Sequence, residues 1–225
     1  MRVPIFAGLL LALILHRPLL AQDASETLLP YAVNVHRTPV QGWPGYGIYL
    51  GDGIFITAAH VVGRSWLTWP KIVIAGEEYP THVVKEGDFE GTDVTLLSVD
   101  QVSLPMRLRL RRNLTLCKTP PRPGQQVVTV VPEKIAYSQI LDPRLLPAQA
   151  RRFSTVIADV AQTGNSGSGV FDRKQRCLLG IMSRKITSPT SRTSKLPSQM
   201  RDVAKYFVPA TEIVQFLPDD LRSRF

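Results

Sequence analysis

Only two cysteines occur in 225 residues, and the four histidines stand far apart along the chain. Neither a C-x-x-C pair nor an H-E-x-x-H run is present, so no metal site is expected. No sequence repeat is evident, and no apolar run reaches the ~20 residues a spanning helix needs. The charge is unbalanced toward the basic side, at +9 overall. No recognition motif accompanies that charge, so no nucleic-acid partner is expected.

What is present points to a β-rich globular chain. Hydrophobic residues make up 44% and charged residues 20%, which excludes general disorder, while 18 prolines and 15 glycines predict many turns between short segments. The opening "MRVPIFAGLLLALILHRPLLA" combines an early arginine, an apolar run from Ile5 to Leu15 and a small residue at Ala21. It reads as a signal peptide over 1–21, with Gln22 as the new N-terminus, and no cysteine follows it to carry a lipid. Removing it takes out Arg2 and Arg17 and no acid, so the formal charge falls from +9 to +7. An exported protein, periplasmic or extracellular, with no stable membrane anchor after cleavage is expected.

Beyond the signal, "GIYLGDGIFIT" predicts a hairpin around Gly51-Asp52-Gly53, and further strand-length segments follow at "KIVIAG", "EEYPTHVV", "TDVTLLSV" and "LPMRLRLR". In the last of these Met106, Leu108 and Leu110 alternate with arginines, the pattern of a strand with one wet face. The stretch "CKTPPRPGQQ", 117–126, predicts an extended connector. Strands are then expected at "VVTVVP", "KIAYSQIL", "FSTVIADV", "GVF" and "CLLGIMS", an exposed loop over Lys185 to Gln199, and a helix over 209–217 that Pro218 stops. The division expected is an N-terminal β half over about 30–116, the connector, and a C-terminal β half over about 127–208.

Three sites could carry chemistry. His60 follows a strand among small and apolar residues, and reads equally as a half-buried structural histidine or as a base. Asp93 opens an apolar strand, where a charge needs a partner or caps a turn; Asp88 and Asp100 lie in looser surroundings. The stretch "TGNSGSGVF" is too closely flanked by apolar strands to be a linker, and no Gly-Lys-Ser/Thr follows to make a phosphate loop. Its glycines allow a tight turn that exposes Ser166 and aims the N–H groups of Gly164 and Ser166 at one point. The order His, Asp, Ser is that of the chymotrypsin triad, whereas the G-x-S-x-G elbow and its order do not fit.

The motifs "TAAHVV", "TDVTLL", "GNSGSGVF" and "LLGIMS" resemble those of the chymotrypsin-fold, trypsin-like serine endopeptidases, nearest the bacterial HtrA-like and glutamyl-endopeptidase-like branches. The resemblance runs from about Gly45 to Leu217. It implies an all-β fold of two packed antiparallel six-stranded barrels with a C-terminal helix, no cofactor, and hydrolysis of peptide bonds in protein or peptide substrates. Residue by residue, it implies Ser166 as nucleophile, His60 as general acid/base, Asp93 as orienting carboxylate, Gly164 and Ser166 as oxyanion donors, and Ser183 as the residue that pairs with substrate backbone. Val160 and Met182 fall at specificity positions, and since neither is acidic or a histidine, a small or apolar residue before the scissile bond is expected. Ser168 and Gly169 depart from the usual Gly and Pro, no Ile-Val-Gly-Gly-like start lies near Gln22, and no PDZ-like segment follows. Cys117 and Cys177 are expected to pair, because both adjoin second-half strands and export permits oxidation; two buried free thiols are the alternative. A catalytically silent binding protein that uses the basic surface is the other functional reading.

Overall fold

The computed structural model describes residues 24–36, 45–148, 151–158, 166–189 and 200–225. The expected signal peptide, 1–21, lies outside them. The first half contains β1 (Ala32–His36), β2 (Gly45–Gly51), β3 (Ile54–Thr57), the single turn α1 (Ala59–Val62), β4 (Lys71–Ile74), β5 (Glu77–Pro80), β6 (His82–Lys85), β7 (Thr95–Ser98) and the short helix α2 (Met106–Arg109). The second contains β8 (Gln126–Val131), β9 (Lys134–Gln139), β10 (Val156–Ile157), β11 (Gly169–Asp172), β12 (Leu178–Pro189), β13 (Met200–Pro209), α3 (Ala210–Phe216) and α4 (Asp219–Arg222).

These strands form two antiparallel sheets, ordered β5-β4-β1-β2-β3-β7-β6 and β10-β13-β12-β11-β8-β9. The all-β, chymotrypsin-like architecture expected from the sequence is therefore present. The first sheet holds seven strands rather than six, because a turn at Ala75-Gly76 folds β5 back on β4 along the sheet edge. The β2–β3 hairpin turns at Gly51-Asp52-Gly53, all three at positive φ, with a register shift between Tyr49 and Gly51. One apolar cluster joins the two sheets: Val35, Ile48, Phe55 and Leu96 of the first belong with Val128, Phe171, Ile181 and Val208 of the second.

Two expectations need correction. The segment from Met106 is a helix, not a strand: Pro105 precedes the first helical residue and its carbonyl accepts from the Leu108 and Arg109 amides. Only Leu108 is buried there, while Met106 and Leu110 face water, so the apolar-basic alternation never met a sheet. Nor is the segment from Lys185 a loop throughout. Strand β12 runs on to Pro189, its backbone paired with β13, which sequence reading had not identified as a strand. Main-chain pairing tolerates the polar composition, since alternate side chains of a strand can point to water. Residues 190–199 lie outside the described ones. The C-terminal helix is found at Ala210–Phe216, and α4 follows it after Pro218.

Cys117 and Cys177 are joined in a disulfide beside a backbone bridge between Leu116 and Leu178. Both cysteines are nearly inaccessible and pack in a second apolar cluster with Val127, Ile157 and Phe207.

Candidate active site

Strands β3 and β7 run antiparallel with Thr57 opposite Thr95, so the chain leaving β3 and the chain entering β7 meet at the same end of the sheet. That register brings His60, three residues past Thr57, to Asp93, two residues before Thr95. Ala58 is extended and fully buried, and the turn of α1 presses Ala59, Val61 and Val62 into the core. His60 is left on the outer side with its ring 30% exposed, against 1% for the Asp93 side chain.

The Asp93 carboxylate is satisfied at both oxygens. One accepts the His60 backbone N–H at 3.0 Å; the other lies 2.8 Å from His60 Nδ1 and accepts the Ser183 hydroxyl at 2.5 Å. Burial pushes the carboxyl's pKa up, but the hydrogen bonds from His60 and Ser183 outweigh it and hold the group below the ordinary carboxylate range. An ionised carboxylate on Nδ1 fixes the ring tautomer with its proton there and leaves Nε2 as an acceptor.

Ser166 comes from the second sheet, just before β11. The ladder between β11 and β12 continues past the strand: Gly167 N–H donates to the Met182 carbonyl and Met182 N–H to the Ser168 carbonyl, each at 2.8 Å. On the other side the Ser166 carbonyl accepts the Tyr46 N–H at 3.0 Å, and the Thr57 hydroxyl donates to the Tyr46 carbonyl at 2.6 Å. The serine loop is thus docked onto β2 and β3 of the first sheet. Gly167 permits this approach: its φ is +87°, and a Cβ there would sit 1.8 Å from the Tyr46 carbonyl oxygen.

Ser183 lies at a register shift of β12 and serves both halves of the site. Its side chain donates to Asp93, while its carbonyl accepts the Ser166 hydroxyl at 3.1 Å. The Ser166 hydroxyl points at Ser183 rather than at His60, and among the described residues no hydrogen bond links Ser166 to His60.

The structure therefore gathers His60, Asp93, Ser166 and Ser183 at one place. Met182 is 1% exposed and its side chain belongs to the apolar cluster around the disulfide. Gly164 and Val160 lie outside the described residues. Asp88 and Asp100 act as turn caps, accepting from Glu90 and Gly91 and from Val102. His36 lies 3.8 Å from Glu78, remote from these residues in the sheet. Sequence reading missed Phe89, whose ring meets His60 edge-on at 5.4 Å, and Arg184, stacked on Phe89 at 3.8 Å. A lone aromatic in the polar run "EGDFEGT" was the one available signal.

Comparison with known proteins agrees with this architecture. Residues 45–181 match the model of the trypsin-like peptidase domain. No curated protein sequence gives a significant match. Among solved structures, a protease of M. tuberculosis in its active form superposes with a TM-score of 0.57 at 17% identity, over 89% of this chain and 85% of that one. The HtrA-type protease AlgW with a tripeptide gives 0.57 at 18%, over 86% and 62%, and the serine endoprotease from Yersinia pestis gives 0.56 at 17%, over 89% and 66%. At such identities the likeness is one of fold. With the domain match spanning more than half of the sequence, the chain belongs to the trypsin-like peptidase family, and its class of activity is that of a serine endopeptidase.

Proposed function

We propose that this protein is an exported serine endopeptidase that cleaves protein or peptide substrates through Ser166, His60 and Asp93. The observation that carries the proposal is the grip on Asp93: a buried, ionised carboxylate bound to both the backbone and the ring of His60, at the end of the sheet where Ser166 docks. His60 Nε2 takes the Ser166 proton as Oγ attacks the scissile carbonyl carbon, and the imidazolium that forms is stabilised by Asp93. The oxyanion is received by the N–H groups of Ser166 and Gly164. His60 then protonates the leaving amine, which departs and leaves an acyl-enzyme. His60 next takes a proton from water, whose oxygen attacks the ester carbon, and gives that proton to the Ser166 oxygen as the acyl bond breaks.

For the first step the Ser166 hydroxyl must turn from the Ser183 carbonyl to His60, a rearrangement in keeping with the loose geometry of catalytic hydrogen bonds without substrate. A peptide laid along β12 supplies the means, since its backbone N–H can take over the Ser183 carbonyl. Export rests on the sequence of residues 1–21 and on the disulfide.

The present direction of the Ser166 hydroxyl favours one second reading, a folded but silent binding protein. The purified protein, treated with a serine-directed fluorophosphonate and incubated with unfolded casein, separates the two. Labelling and cleavage, both lost in Ser166→Ala, are expected. A folded protein that is neither labelled nor active would leave the binding reading, and full cleavage by Ser166→Ala would sink the triad.

A further inference from the structure

Arg184 follows Ser183 on β12. Its guanidinium lies over the Phe89 ring at 3.8 Å and 6.0 Å from the Phe153 ring. Nη2 donates to the Phe89 carbonyl, and Nε reaches the Ser183 hydroxyl at 3.4 Å. A guanidinium carries five N–H donors in a planar fork, so these contacts leave most of the fork for another acceptor. Among the described residues Arg184 makes no ion pair with any carboxylate. The carboxylate nearest in the network, Asp93, is already taken by His60 and Ser183. A half-buried cation that lies over one aromatic ring, near a second, and pairs with no carboxylate among the described residues gains most from a carboxylate that arrives with a ligand.

The position of the reacting bond follows from Ser166. Its hydroxyl oxygen is 3.1 Å from the Ser183 carbonyl oxygen, and a carbonyl carbon under attack must approach that hydroxyl to about 3–3.5 Å. The scissile bond therefore lies beside Ser183, one residue from Arg184. An extended peptide advances roughly 3.3 Å per residue, so a side chain one to four residues away passes within reach of the guanidinium.

We propose that Arg184 is a specificity-determining residue that selects substrates with an aspartate or glutamate within four residues of the scissile bond, binding that carboxylate against the wall formed by Phe89 and Phe153. This rests on the endopeptidase reading and adds a substrate class to it. It leaves the residue immediately before the scissile bond free to be small or apolar. The basic balance of the chain, formally +7 once residues 1–21 are removed, acts in the same direction by drawing acidic substrates toward the surface.

The test uses a cleaved peptide from casein, resynthesised with Glu, Gln or Lys at each of the four positions on either side of the cut, assayed with wild type, Arg184→Gln and Arg184→Glu. Wild type should favour Glu over Gln by about 10-fold or more in kcat/KM at one position or more, the scale of a charged hydrogen bond. That ratio should fall to about 1 in Arg184→Gln, and Arg184→Glu should favour Lys over Glu at the same position. If Arg184 only held the Phe89 loop in place, its loss would lower all peptides together and leave the ratio unmoved. Flat ratios in a wild-type sample whose serine is titrated by fluorophosphonate overturn the inference alone. A sample with neither labelling nor cleavage overturns the endopeptidase reading and the inference with it. If both variants fail to fold, the wild-type ratio still tests the inference, because a flat ratio overturns it.

Discussion

The two sheets hold their parts of the site by different means. His60 and Asp93, on the first sheet, are fixed by register: β3 and β7 deliver them to the same end of the sheet, buried alanines and valines pin α1, and three hydrogen bonds engage one carboxylate. Ser166, on the second, has its backbone docked by Tyr46 and by the extended β11–β12 ladder, but among the described residues its hydroxyl makes a single 3.1 Å bond, to a main-chain carbonyl. Folding alone thus sets His60 and Asp93, while on the proposed mechanism the Ser166 hydroxyl is left to turn when a substrate arrives. Ser183 belongs to the second sheet yet completes the first sheet's charge network, so the difference is one of side chains more than of barrels.

The largest expected break in this contrast is Asp93→Asn. On the triad reading it keeps the shape of the site but favours the wrong tautomer of His60, and kcat should fall by roughly 10⁴-fold, as is general for such triads. A loss under tenfold with folding intact would mean that the first sheet's arrangement is structural only. Next comes Gly167→Ala, which attacks the docking of the serine loop. Its methyl would meet the Tyr46 carbonyl and the Thr57 hydroxyl at a backbone conformation that L-residues avoid, for a stability loss of at least ~2 kcal/mol in urea denaturation. An unchanged midpoint would show the loop to be loosely held.

The smallest is Ser183→Ala, which sharpens the comparison by cutting a side chain that crosses it. Loss of a donor to a buried carboxylate should cost about 1–3 kcal/mol at neutral pH. Asp93 titrates below its ordinary value in the folded protein, so its contribution to stability is present above the ordinary carboxylate pKa and is lost as pH falls through the lowered one. Thermal midpoints of wild type and variant should therefore converge as the pH drops below the ordinary carboxylate range. A gap as wide at pH 2 as at pH 7 would assign the cost to packing rather than to charge.

How much of this was legible in the sequence depended on distance along the chain. His60, Asp93 and Ser166 announced themselves locally, each at a strand end with small or apolar neighbours, and the β2–β3 turn was visible in Gly-Asp-Gly. Phe89 and Arg184 were not, because their significance lies in a contact between residues 95 apart. The helix α2 escaped because an alternating pattern matches a strand only when a sheet is there to receive it; Pro105 and the burial of Leu108 alone settled it as a helix. Strand β13 escaped for the opposite reason. Its charged side chains disguise a backbone that pairs along much of β12.

The disulfide encloses a segment that contains Ser166 but neither His60 nor Asp93, closing a sequence separation of 60 residues. In the chain-entropy picture such a loop is worth about 4 kcal/mol, and the segment it closes lies in the half that carries Ser166. A cytoplasm that keeps thiols reduced withholds that contribution, and an oxidising compartment supplies it. For a proteolytic enzyme exported as proposed, the order matters: the covalent lock on the half that carries Ser166 closes only after the chain has left the reducing interior of the cell.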